Sequence, residues 1–185
     1  MTTLIAADVF GPTPELQAFA AALDQPTRVI GPSESPAPAA WSEAMAYASF
    51  IDGGGIPPYV HRLEQVLSDP AAGIERVIGF SVGAAALWAL LATLRARSIR
   101  SATLFYGSRI RDQLDRVPLC PVQLVFAEHE KSFCPSNLVA TLRARGHDAV
   151  LDPGSQHGFM NRRSPGFDPA RQAKYLEALR STSPA

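Results

Sequence analysis

Ser81 lies in Val77-Ile78-Gly79-Phe80-Ser81-Val82-Gly83-Ala84, an apolar run that ends in a G-x-S-x-G sequence and leads at once into a long apolar helical stretch. In that context the motif predicts a nucleophile elbow: a tight strand-to-helix turn holds the serine out of a sheet and points the next backbone N–H at a developing oxyanion. The flanking glycines let chains pass where a Cβ would clash. A serine alcohol is a poor nucleophile at neutral pH, so it needs a base within hydrogen-bond reach and a third group to orient that base. The chain has four histidines. His61 falls on the outer side of an amphipathic helix, His147 in a turn after Gly146, and His129 at a strand end between two glutamates. His157 follows the last predicted strand, flanked by Gly154 and Gly158, and is the candidate base. The segment from Phe126 to Pro135 carries two carboxylates, of which Glu130 is the first choice for the orienting acid and Glu128 the alternative. The bland reading of both is a solvated loop charge.

Positioning such residues requires an open sheet whose strand ends converge. Strands are expected from Leu4 to Val9, Thr27 to Ile30, Ile74 to Phe80, Ser101 to Tyr106, Val122 to Phe126 and Asp148 to Leu151, about six by periodicity. Helices alternate with them. Thr13-Pro14-Glu15 reads as a cap and first turn, followed by Leu16, Phe19, Ala20 and Leu23 on one face. Pro57 opens a helix with Val60, Leu63, Val66 and Leu67 inward, stopped at Asp69-Pro70. The run after Ser81 is apolar nearly all round until Arg95 and Arg97, which places it in the middle of the domain. A further helix runs from about Ser136 to Gly146, and a last one starts at Asp168-Pro169 with Ala173, Leu176 and Leu179 inward. Ser33 to Ala40 reads as loop, and Trp41 to Ile51 as ambiguous, a strand broken by small residues. Alternating strands and helices predict a mainly parallel sheet covered on both faces. In such sheets the loops at the C-terminal strand ends share one crevice, which would bring Ser81, the Glu128 to Pro135 loop and His157 together.

The composition narrows the function classes. The 185 residues fit one domain, and 17 basic residues balance 17 acidic ones, so nothing calls for nucleic acid or an anionic membrane surface. Cys120 and Cys134 show no C-x-x-C spacing and read as reduced thiols, not a bridge or metal site. The N-terminal residues lack the basic region of a secretory signal, and the longest apolar run, Val82 to Leu94, is too short to span a bilayer. A soluble, cytoplasmic protein is the expectation.

Taken together, the residues resemble the dienelactone hydrolase family of α/β-hydrolases. The likeness is carried by Ala7-Asp8-Val9-Phe10-Gly11 with Thr13-Pro14-Glu15-Leu16, by Gly79-Phe80-Ser81-Val82-Gly83, by Phe105-Tyr106-Gly107 and Cys120-Pro121-Val122, by Gln156-His157-Gly158-Phe159, and by Phe167-Asp168-Pro169-Ala170. The resemblance implies an α/β-hydrolase fold, a minimal three-layer sandwich without a large cap domain, in which residues 33–55 are the segment able to cover the site. It implies an oxyanion hole from the N–H groups of Val9 and Val82, Asp8 close to Ser81, and substrate contacts from Asp8, Phe10, Tyr106 and Phe159. The plainer reading of Asp8 is a cap on local N–H groups, and that of Tyr106 is core. The departures are informative. Founding members carry cysteine where this chain has Ser81, and aspartate where it has Glu130. The basic residues that would hold the carboxylate of dienelactone are not matched: Asn161 stands where an arginine would help, and Arg162 and Arg163 read as exposed loop residues.

The expected activity is hydrolysis of an ester, thioester or lactone of a small molecule through Ser81, His157 and Glu130 with an acyl-enzyme intermediate. No metal or organic cofactor is implied, and an open active-site edge would suit a homodimer. The alternative is a fold-sharing binding or regulatory protein with impaired catalysis, favoured by the unusual acid. A flavodoxin-like domain would explain Asp8 at a strand end but neither the elbow nor His157-Gly158-Phe159.

Overall fold

Successive strand residues point to opposite faces of a sheet, and here both faces are apolar. Leu4, Ala6 and Val77 join one buried cluster, while Ile5, Ile78 and Phe80 join the other. Such strands are stable only between two helix layers. The computed structural model describes residues 2–181 and shows that arrangement. Met1 and residues 182–185, the outer ends of the expected 1–185 domain, lie outside the described residues.

The strands are β1 (Thr2–Ala6), β2 (Thr27–Ile30), β3 (Ile74–Phe80), β4 (Ser101–Phe105), β5 (Val122–His129) and β6 (Asp148–Gln156). They form one sheet in the order β2-β1-β3-β4-β5-β6, with every pairing parallel. The chain first steps outward from β1 to β2, then returns to place β3 on the other side of β1. That reversal opens a crevice between the C-terminal ends of β1 and β3, where ligands bind in sheets of this kind.

Helices α1 (Pro14–Ala21) and α6 (Pro169–Ser181) cover one face; α3 (Ile56–Leu67), α4 (Val82–Leu91) and α5 (Pro135–Ala144) cover the other. Every residue of α4 is buried, so its apolar sequence reflects a central helix walled in on all sides. Thr13 caps α1 as its sequence predicts, accepting the Leu16 N–H at 3.2 Å.

The structure departs from expectation at several points, and β5 runs on past the expected Phe126 to His129. Residues 41–51, ambiguous in sequence, lie mostly in helix α2 (Glu43–Asp52), started by Ser42 accepting the Met45 N–H. β1 ends at Ala6 because the Asp8 carboxylate accepts the Phe10 N–H at 3.0 Å and turns the chain early. β6 continues through Pro153 to Gln156: it is an edge strand, where a proline's missing N–H costs no ladder bond. In α6, Ala173 is exposed, and Tyr175, Leu176 and Leu179 make the inward face. No helix among the described residues is long and apolar enough to cross a membrane.

Candidate active site

The elbow is built by close approach. A Cβ on Gly83 would stand 2.4 Å from the carbonyl oxygens of both Ala6 and Ala7, and one on Gly79 would stand 2.7 Å from Ala84 Cα. Glycine at these positions lets the first turn of α4 press against the ends of β1 and β3. Ser81 between them takes φ +51° and ψ −113°, a left-handed conformation that a non-glycine residue holds only when its surroundings enforce it. Its own N–H donates to the Phe105 carbonyl at 3.0 Å, and the turn is thereby tied to β4.

His157 reaches this serine from the far side of the sheet. β6 delivers it, and a tight turn follows in which Gly158, at φ +79°, passes under Ser164; a Cβ there would stand 2.0 Å from the Ser164 hydroxyl. Glycine at 158 is therefore a steric requirement of this turn. Ser81 Oγ and His157 Nε2 are 2.9 Å apart, and His157 Nδ1 and Glu130 Oε1 are 2.7 Å apart. An ionised carboxylate only accepts, so Nδ1 carries the ring proton and Nε2 offers its lone pair to the serine hydroxyl. Burial works against charging His157, but the Glu130 hydrogen bond and charge, helped by Glu43 and Asp8, outweigh it and raise its pKa above the usual value.

Of the two glutamates, Glu130 meets the imidazole and Glu128 does not. Glu128 turns to the β6 backbone, accepting the Gly154 N–H at 2.6 Å. The Glu130 side chain is only 6% exposed, against 44% for that of Glu128.

Asp8 is buried beside this group. It accepts from Phe10 N–H and from the Asn161 side-chain amide, which links the turn after β1 to the turn after His157. Burial pushes its pKa up, with Asn161 and the Phe10 N–H opposing. The local cap and the placement near the histidine are thus both properties of one carboxylate. Val9 occupies the turn just after β1, and Val82 opens α4, so their N–H groups lie on the two banks of the crevice. Phe10, Tyr106 and Phe159 are fully or almost fully buried. Tyr106 and Phe159 form an aromatic wall behind the histidine, the Tyr106 ring standing edge-on to His157 at 5.1 Å. They back the site and present no open surface to a ligand.

Two residues gain roles that their sequence context hid. The Arg163 guanidinium lies 4.5 Å from the centre of the Phe10 ring and donates to the carbonyls of Ala37 and Pro38, both at 2.7 Å. Glu43, at the start of α2, accepts from the Ser164 hydroxyl at 3.2 Å. Together they fasten segment 33–55 to the histidine turn. Arg162, by contrast, is exposed as expected. Cys120 and Cys134 are unbridged.

The sequence profile of the dienelactone hydrolase family matches residues 61–182, a span that includes Ser81, Glu130 and His157. The chain belongs to the dienelactone hydrolase family. It is 32% identical over 141 residues to the uncharacterised protein YczH of Bacillus subtilis, a match covering 75% of this chain and 68% of that protein. Among solved structures it is similar to the dienelactone hydrolase-like promiscuous phosphotriesterase P91 from metagenomic libraries, with a TM-score of 0.70 and 15% identity over 97% of this chain and 84% of that one. A cold-adapted esterase from an Arctic intertidal metagenomic library gives a TM-score of 0.62 at 14% identity, over 97% and 82% of the two chains. At these identities the likeness establishes the α/β-hydrolase fold, and the family supplies the hydrolase class.

Proposed function

We propose that this member of the dienelactone hydrolase family cleaves an ester, thioester or lactone of a small molecule, with Ser81 as nucleophile, His157 as general base and then acid, and Glu130 as the group that orients and stabilises the imidazolium. The observation that carries the reading is the unbroken line from Ser81 Oγ through His157 to Glu130, with spacings of 2.9 and 2.7 Å. In the forward step the Oγ–carbon bond forms as the Oγ proton moves to Nε2. Collapse of the tetrahedral intermediate then expels the alkoxide or thiolate, which takes that proton. Water repeats the sequence on the acyl-enzyme. The oxyanion falls to the N–H groups of Val9 and Val82, each worth about 3 kcal/mol of barrier in sites of this type.

Incubation with a fluorophosphonate probe tests this directly. The wild-type protein should be labelled at neutral pH, and Ser81→Ala should not. Absence of labelling from neutral to alkaline pH would support a binding protein in place of an enzyme; labelling that survives Ser81→Ala would move the nucleophile elsewhere.

A further inference from the structure

Segment 33–55 walls a half-open cavity of about 350 Å3 against the body of the protein. Its lining mixes Val9, Trp41, Ala46 and Phe50 with Ser33, Ser35 and Ser49, and includes no charged side chain. Val9, which lines it, lies in the turn after β1 next to Asp8, whose carboxylate is close enough to His157 to interact with its charge. The neighbouring strand ends are held together by backbone: Ala6 pairs with Gly79 across β1 and β3, and Gly83 sits where a Cβ would meet the Ala6 and Ala7 carbonyls. The Tyr59 hydroxyl lies 2.9 Å from the Ala7 carbonyl and 2.8 Å from that of Ile30, so the floor is stapled to the same strand ends.

The outer wall is equally fixed. Arg163 holds the carbonyls of Ala37, Pro38 and, at 3.3 Å, Trp41, and the Ala37 N–H donates to the Phe10 carbonyl at 2.8 Å. The guanidinium is therefore occupied by backbone and offers no obvious fork to a substrate anion. Asp8 is likewise engaged by Asn161 and the Phe10 N–H. A charged group entering this space would give up part of its hydration and find no charged side chain in the lining to replace it. An apolar one would gain from burial against preformed walls.

We propose that this cavity takes the apolar body of the substrate, so that the enzyme acts on uncharged esters, thioesters or lactones with a compact hydrocarbon or aromatic group and disfavours carboxylate-bearing ones. The inference rests on the hydrolase reading but is read out separately from it. At about 350 Å3 the space is at the small end of ligand pockets. It admits one ring or a short chain.

The test uses two ester series, one lengthened on the acyl side from p-nitrophenyl acetate to hexanoate and one on the alcohol side from methyl to hexyl acetate. Along the series that enters the cavity, kcat/KM should rise by up to about fourfold per methylene until the space is full. Ser49→Phe, at an exposed position on the rim, should lower kcat/KM for the longest good substrate at least tenfold and leave p-nitrophenyl acetate within about twofold. Ala46→Leu should do the same from the buried side, with its melting temperature recorded to separate filling from unfolding. Flat profiles in both series, or equal losses on short and long esters in Ser49→Phe, would overturn the proposal.

A binding measurement keeps it independent of turnover. Trp41 lines the cavity, whereas the other tryptophan, Trp88, is fully buried in α4. In Ser81→Ala, methyl hexanoate and methyl benzoate should change tryptophan fluorescence saturably, monomethyl adipate, whose carboxylate lies at the far end of an equally long chain, at least tenfold more weakly, and Trp41→Phe should abolish the signal. Fluorescence binding without any ester turnover sinks the hydrolase reading and leaves the cavity. Turnover with a silent Trp41 sinks the cavity alone. Equal binding of the ester and the carboxylate removes the charge selectivity.

Discussion

Two ion pairs flank the last strand and are nearly the same object geometrically. Glu130 meets His157 at 2.7 Å and Asp152 meets Arg171 at 2.7 Å; the carboxylates are 6% and 3% exposed, their partners 24% and 25%. They differ in the cation. Arginine keeps its proton at every relevant pH, whereas histidine gains and loses one near neutrality. Asp152 also accepts from the Tyr175 hydroxyl at 2.6 Å, and Arg171 donates on to the Pro153 carbonyl, so this pair binds α6 to β6. The Glu130 pair instead ends on the Ser81 hydroxyl. Equal distances and near-equal burial thus make a staple in one place and, in the proposed mechanism, a proton switch in the other, the difference lying in the base and in what each pair touches next.

The comparison breaks most visibly at the acid. Glu130→Gln leaves the shape intact but removes the charge that fixes the tautomer and stabilises the imidazolium. It should reduce kcat on p-nitrophenyl acetate by about three orders of magnitude or more, with little change in urea stability. Glu128→Gln should stay within about threefold, because its carboxylate serves the β6 backbone and the His129 ring and does not meet His157. The reverse ranking would move the acid to Glu128.

The same pair sets the pH dependence. A raised His157 pKa places the acid limb of kcat/KM above about pH 6.5, since only the neutral imidazole accepts the serine proton. The stability that the charged pair contributes runs the opposite way: it is fully present below the unfolded value of about 6.5 and is lost as pH rises through the folded value. In the residual activity of Glu130→Gln the limb should move to lower pH. A limb that stays in place would show that Glu130 does not tune the histidine.

Asp152→Asn is the smaller and complementary change. It should lower the melting temperature by about 3 °C and leave kcat within about twofold, the screened setting of Arg171 limiting the cost. Burial works to raise the Asp152 pKa, but Tyr175, Arg171 and Lys174 overcome it and hold it below the usual carboxylate value. Its contribution is therefore present above about pH 4 and fades as pH falls through the folded value, so the variant should lose part of its acid sensitivity. Acid unfolding followed by circular dichroism measures this.

The sequence made the elbow and the base legible because both are backed by local necessity. Gly79, Gly83 and Gly158 are each required by a close approach, and each falls beside a residue of the site. Local pattern also located β3 and α4, whose apolar runs are uninterrupted. It failed where a local signal competed with position in the sheet. Pro153 reads as a strand breaker, yet on an edge strand it costs nothing. Helix α2 was hidden by the mixed residues 41–51, although Ser42 followed by Glu43 was a usable start signal. Arg163 and Glu43 could not be found from neighbours in sequence, since their partners lie more than a hundred residues away. For the carboxylate beside His157 the sequence offers Glu130 first and Glu128 second, and what separates them is spatial: Glu130, just past the end of β5, turns to the imidazole, whereas Glu128 turns to the Gly154 N–H.

The complete burial of α4 also sets how the site comes apart in time. Ser81 stands at the junction of β3 and α4, whose amides are enclosed by the deepest packing and should exchange with solvent only when the whole domain unfolds, while the turn from 157 to 168, held by short-range backbone bonds and by its ties to Asp8, Ala37 and Glu43, is expected to open at lower cost. Native-state hydrogen exchange should then find slow amides through 77–91 and faster ones at 158–164. On that expectation Ser81 keeps its place after His157 has left it. If the proposed mechanism holds, activity lost under heat or mild denaturant should then precede global unfolding and return when the histidine turn closes again.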